Sequence, residues 1–491
     1  MILAHCHKES VKSSAIQEQF LQYSPIKFSM ELEAAEFEVN FTRKFVVKAS
    51  NPLVKPHILT LSNLDLLSGR FPVSYFYFYP SKPDANINII ESLKSSLAKT
   101  LNYYYPFAGQ IVLNPNTNEP EIMCDNSGAL VLEAQANIPL NTLNFYDLDQ
   151  SLRGNKLVSI HPDFPLQIQV TYYTCGGVSI TFTFDHALGD ASSFGKFLLS
   201  WSEMARNKPI SCLPDHQRNL RISARNPPRY HSSLDQSFVK CTMEEIMNIP
   251  TPKPLVKRLY FINNSSINQL QSQACRNGTK RTKIEAVSAY VWKTMVKANI
   301  ISTSTNKTHT AMCKMGWLVD GRSRLHKRDQ NPNSNMSNYI GNVLSLAFGE
   351  ASVDELKKGS ISDVADIVRE AISKVTNEEH FLDLIDWIQC HRPGLMLSKI
   401  VLGQGGVPAL VLSSGRMFPV AELDFGFGSP VLGTVCSTIE RIGVAYMNQR
   451  PSAKGDGSWT VSCILWPELA AALEFDSIFQ PMTAGYLQLQ S

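Results

Sequence analysis

The stretch from Leu166 to Ala205 constrains the fold more than any other part of the chain. Leu166, Ile168, Val170 and Tyr172 alternate with Gln167, Gln169 and Thr171, the period-two pattern of a half-buried strand. Cys175-Gly176-Gly177 supplies a turn. Val178, Ile180, Phe182 and Phe184 then alternate with Ser179, Thr181 and Thr183, which completes a hairpin. Beyond the next six residues, Phe194, Phe197, Leu198, Trp201 and Met204 recur at the spacing of one helical face. A chain that must bury both a sheet face and a helix face folds in mixed α/β or α+β layers. Asp185-His186-Ala187-Leu188-Gly189-Asp190 therefore occupies a strand-to-helix turn, a rigid platform for side chains.

With 491 residues the chain is too long for one core, so two domains of roughly 200 residues each are expected. Residues 1–29 are polar and aperiodic and read as a flexible extension. An N-terminal domain spans 30–205, and within it Phe71–Tyr79 reads as a buried strand. The helix that follows carries Leu93, Leu97, Leu101 and Tyr104 on one face. Residues 206–237 hold Pro209, Pro214, Pro227 and Pro228 among polar and basic residues, which predicts an interdomain linker crossing the surface. A C-terminal domain spans 238–491. Its helices carry Ile284, Val287, Val291, Trp292 and Met295, then Val364, Ile367, Ile372 and Val375. Closing strands lie around Ile442–Tyr446 and Trp459–Trp466, before a helix opened by Pro467.

The net charge of +3 comes without a dense basic stripe; the tightest group is Lys280, Arg281 and Lys283. That argues against a nucleic-acid binder. Ten cysteines are scattered, with no C-x-x-C pair and no metal-ligand spacing to histidine, so no metal site is expected. Such cysteines suit buried thiols in a reducing compartment. No run of 18 apolar residues occurs. A cytoplasmic, monomeric protein with no membrane partner is the expectation.

Two His-x-x-x-Asp pairs occur, His186/Asp190 and His231/Asp235. The second lies in the proline-rich segment, where an imidazole is poorly held. The first follows a strongly patterned strand, with Gly189 allowing a tight turn and Asp190 placed to cap a helix. An imidazole with a pKa near 6.5 suits proton removal from an alcohol attacking a carbonyl. No Gly-x-Ser-x-Gly elbow or Cys-His nucleophile signature is present, so direct transfer without an acyl-enzyme is expected.

From residue 30 onward the sequence resembles the BAHD acyltransferases of plant specialised metabolism. His186 to Asp190 matches the family's His-x-x-x-Asp-Gly, with Ala191 where glycine is usual. Asp424-Phe425-Gly426-Phe427-Gly428 matches Asp-Phe-Gly-Trp-Gly, with Phe427 for tryptophan. Tyr105-Pro106-Phe107-Ala108-Gly109, Val319-Asp320-Gly321-Arg322-Ser323-Arg324-Leu325 and Asn338-Tyr339-Ile340-Gly341-Asn342 match in order. Leu61–Tyr79, Asp424–Pro430 and Gly457–Glu474 look like the coniferyl-alcohol-acyltransferase-like branch.

The resemblance implies two chloramphenicol-acetyltransferase-like domains with a channel between them, and His186 as general base at its middle. It also implies Asp190 paired with Arg322, and a structural loop built on Asp424, Gly426 and Gly428. Acyl-CoA would be a co-substrate rather than a resident cofactor, and the acceptor a small alcohol, such as a phenylpropanoid. An amine or polyamine acceptor and a non-catalytic partner protein are the alternatives. Thr282 and Lys283, opening a helix, suit CoA phosphates. Ser413, Ser414 and Arg416 are placed for CoA by their position in the family.

Overall fold

The computed structural model describes residues 37–67, 70–81, 88–152, 156–249, 254–276, 278–298, 311–325, 336–403, 408–415, 418–437 and 445–489. The expected extension at 1–29 and Arg416 lie outside them. Two compact units are distinguished, residues 1–37 and Glu38–Ser491, and the second holds everything that follows.

Within it, a six-stranded sheet runs in the order Val39–Val47, Ala129–Ala136, Leu166–Tyr172, Val178–Asp185, Pro72–Tyr79 and Leu432–Ser437. All its neighbours are antiparallel except Ala129–Ala136 against Leu166–Tyr172. Tyr75 to Tyr79 are buried on both faces, as befits an aromatic run inside a sheet. Leu432–Ser437 covers what would otherwise be an open edge of Pro72–Tyr79, so this sheet takes a strand from beyond residue 238.

A seven-stranded sheet runs Leu344–Ser352, Met312–Asp320, Ala409–Ser414, Ala445–Pro451, Trp459–Leu465, Val256–Ile262 and Gln480–Pro481. Its two central junctions, on either side of Ala409–Ser414, are parallel.

The helix Ala191–Ala205 seats Phe194, Phe197, Leu198 and Trp201 in the first core, each fully buried. Lys283–Lys297 does the same for the second sheet through Val287, Val291, Trp292 and Met295. The segment 206–237 is more than a surface crossing. It forms the short helices Arg218–Arg221 and Ser233–Ser237 and buries Arg218, Ile222 and Leu234. Hydrophobic patterning missed this because the most buried of the three is an arginine.

A cavity of about 290 Å³ is lined from both sheets: Val73, Tyr75, Phe184 and Val435 from the first, Leu318, Val411, Tyr446 and Ile464 from the second. That is near the lower end for small-molecule sites. No helix among the described residues is long and apolar enough to cross a membrane.

Candidate active site

The strand Val178–Asp185 ends at this cavity, and a single 3-10 turn, His186–Leu188, redirects the chain into Ala191–Ala205. Asp185 starts the turn by accepting the Ala187 N–H at 2.9 Å, while its other oxygen accepts from Arg70. The His186 N–H donates to Phe71 O (3.1 Å), and the imidazole packs 4.9 Å from the Phe71 ring. His186 is half-buried and lines the cavity. Its Nδ1 is buried with no hydrogen-bond partner among the described residues. Burial pushes the imidazole pKa below its ordinary value, and the charges of Asp190 and Asp185 oppose that shift without reversing it. Burial thus favours the neutral ring.

Asp190 faces the protein body. Its Oδ1 accepts the Ser193 N–H (3.0 Å), capping the helix, and its Oδ2 accepts the Val343 N–H (3.0 Å). Arg322 grips both oxygens, at 2.8 and 3.0 Å. Burial works against the carboxylate's charge, but Arg322 and these N–H donors outweigh it and hold the pKa below the usual range. Arg322 also donates to Asp320, Ser193 Oγ and Gly341 O. The pair thus ties residues 190–193 to the segment 320–343. Gly189 fits between because a Cβ there would lie 2.7 Å from Ser193 Cβ.

A second buried ion pair supports the same turn, and sequence reasoning did not find it. Arg218 and Asp65, both fully buried, stand 3.1 Å apart. Arg218 donates to Ala187 O at 2.8 Å and to Leu188 O at 2.7 Å. Asn342 donates through Nδ2 to His186 O (3.0 Å) and also to Asp65 Oδ1 (2.9 Å). Three successive carbonyls of the turn are thus held by side chains anchored on one carboxylate. Asn342 belongs to a recognisable motif. Arg218 and Asp65 carry no periodic signal, and only the proximity of Arg218 to a proline-rich run marked its segment at all.

The other expected residues divide. Ser413 and Ser414 line the cavity; Thr282 and Lys283 do not. Thr282 closes a capping box with Glu285, and Lys283 Nζ donates to Asn264 (3.2 Å). Asp424 Oδ1 accepts the Gly426 and Gly428 N–H groups, both at 2.8 Å, in a loop that does not line the cavity. His231 is exposed, bonded to Ser233, and also away from it.

A model of the Transferase family matches residues 37–476. Anthranilate N-benzoyltransferase protein 1 of Dianthus caryophyllus is 30% identical over 431 residues, covering 83% of this chain and 92% of that protein. Omega-hydroxypalmitate O-feruloyl transferase of Arabidopsis thaliana is 28% identical over 398 residues, covering 77% and 82%. The crystal structure of vinorine synthase is similar with a TM-score of 0.65 over 91% of this chain and 100% of that one; at 21% identity it speaks to the fold. With its mixed sheets, its cavity and a family match over nearly its whole length, this chain belongs to the BAHD transferases, the acyl-CoA-dependent acyltransferases.

Proposed function

We propose that the protein transfers an acyl group from coenzyme A directly to a hydroxyl of a small metabolite, with His186 as general base. The observation that carries this is a cavity-lining imidazole, its neutral form favoured by burial, beside an Asp190 that is committed to Arg322. Nε2 takes the acceptor's hydroxyl proton as the oxygen attacks the thioester carbonyl carbon. The tetrahedral intermediate collapses by breaking the C–S bond, and the imidazolium returns its proton to the departing CoA sulfur. No acyl-enzyme forms. The Asp65, Arg218 and Asn342 cluster positions the histidine through its backbone. Thr282 and Lys283, away from the cavity lining, are read as contacts for the distal CoA phosphates.

Related proteins are named for transfer to nitrogen as well as to oxygen. An oxygen acceptor is favoured here because the carboxylates near the histidine are already engaged: Asp185 by Arg70, Asp190 and Asp320 by Arg322. A polyamine would find no free anion among these groups. Eight unpaired cysteines among the described residues support a reducing, cytoplasmic setting, and we read the protein as a monomer.

The test is CoA release from acetyl-, benzoyl- and feruloyl-CoA with paired alcohols and amines. His186→Ala is expected to lose ~10²–10⁴-fold in rate, His231→Ala little. Intact-mass spectrometry with donor alone is expected to find unmodified protein. Equal losses in the two variants, or a stoichiometric acyl adduct, would sink the assignment.

A further inference from the structure

The second sheet contributes a polar patch to the cavity that the transfer chemistry does not use. Ser413 and Asn448 are partners in the parallel pairing of Ala409–Ser414 with Ala445–Pro451. Tyr446, Asn448 and Arg450 alternate along their strand and so share one face. Ser413, Tyr446 and Asn448 line the cavity together with His186. Arg450, 2% exposed, lies behind them. Its Nε and Nη2 donate to Asn448 Oδ1 at 3.1 and 2.7 Å. Its guanidinium carbon sits 5.3 Å from the Tyr75 ring centre and 5.0 Å from that of Phe418. Among the described residues Nη1 is buried without a hydrogen-bond partner and no carboxylate forms an ion pair with Arg450.

These contacts fix a direction. A guanidinium only donates, so Asn448 must turn Oδ1 toward Arg450 and Nδ2 toward Ser413. Nδ2 donates to Ser413 Oγ, and the Tyr446 hydroxyl donates to the same oxygen at 2.5 Å. With both lone pairs occupied, Ser413 can only donate its own hydrogen, and no described residue accepts it. A buried cation with no counter-ion, relayed to an outward O–H, favours a negatively charged oxygen. Ring faces offset only part of its burial cost.

We propose that Ser413, polarised by Asn448 and Arg450, is a subsite for a carboxylate carried by one of the two substrates. It rests on the reading of this cavity as the place where donor and acceptor meet.

Two matched pairs of probes locate that carboxylate by calorimetric binding. Succinyl-CoA against butanoyl-CoA places it on the acyl group. 4-(Hydroxymethyl)benzoate against 4-methylbenzyl alcohol places it on the acceptor. In the wild-type protein one pair is expected to show roughly tenfold or greater preference for the carboxylate member, the usual worth of a hydrogen bond to a charged group. Ser413→Ala, a small truncation on the cavity wall, should bring that ratio close to one. Arg450→Met should do the same where it folds. No preference in either pair, or a preference that survives Ser413→Ala, overturns the proposal. CoA release by wild type and His186→Ala is read separately. Transfer without discrimination sinks only this subsite, and discrimination without His186-dependent transfer sinks only the catalytic assignment.

Discussion

The turn at 185–190 and the loop at 424–428 are both short, glycine-bearing and bounded by aspartate, yet they are held in opposite ways. The loop satisfies itself. Asp424 accepts two N–H groups from within its own five residues, and Gly426 and Gly428 supply positive φ values of 100° and 109°. Phe425 and Phe427 then bury against Trp201 and Tyr79, at ring distances of 5.1 and 5.0 Å. The turn has one aspartate bond of its own, from the Ala187 N–H to Asp185, and is otherwise held by Asp65, Arg218, Arg322 and Asn342, none within 25 residues of it. A loop that closes on itself can anchor a fold from outside the cavity. The turn that brings His186 to the cavity wall draws its support from distant parts of the chain.

The largest expected effect falls on the turn. Removing one member of a buried ion pair strands the other charge, at a cost of roughly 3–5 kcal/mol. Asp190→Ala and Arg322→Ala should each lower unfolding free energy on that scale. The double variant should lose markedly less than the sum, as chemical denaturation would report. Additive losses would show that the pair does not act as a unit.

Acid should loosen the turn before the loop. His216 is two residues from Arg218 and bonds Tyr103 O at 2.9 Å; burial lowers its pKa to about 4. A depressed folded pKa favours the neutral form, so its contribution is full above about 6.5 and is lost as pH falls toward 4. The loss reaches roughly 3 kcal/mol. His380 is depressed by burial to about 4 as well, so denaturation from pH 7 to 4 should show a decline that His216→Gln reduces but does not abolish. A decline of unchanged size in that variant would place the acid sensitivity elsewhere.

The two glycines share a positive φ, 154° and 100°, and differ in the room a side chain would find. Gly189→Ala puts a methyl 2.7 Å from Ser193 Cβ, an overpacking worth typically 1–3 kcal/mol, and should lower kcat by shifting the turn. Gly426→Ala meets nothing closer than 3.9 Å and suffers only its positive φ, about 1–2 kcal/mol. Its turnover per folded molecule should match wild type. Equal losses of kcat in both would erase the distinction between turn and loop.

The hairpin and its helix were legible from alternation and helical spacing, and Leu166–Tyr172, Val178–Asp185 and Ala191–Ala205 form where expected. The strands are not half-buried as the alternation implied: Gln167, Gln169, Thr171, Ser179, Thr181 and Thr183 are buried too, because the sheet is covered on both faces. The place of His186 in the turn between hairpin and helix was legible. The joining of Leu432–Ser437 to the first sheet was not, since strand pairing across more than 350 residues leaves no local mark. Arg218 stayed hidden for a different reason. A buried arginine and a solvated one look alike in a sequence, and only the carbonyls it meets distinguish them. Thr282 and Lys283 show the converse: a helix start suited to anions that also serves as a capping box and lies away from the cavity lining.

The three carbonyls of the His186 turn are held by residues 218 and 342, both anchored on residue 65. The ribosome delivers these in the order 65, 186, 218, 342. A nascent chain therefore exposes its histidine long before the last clamp arrives. A fragment that ends before residue 342 can hold two of the turn's three carbonyls at most.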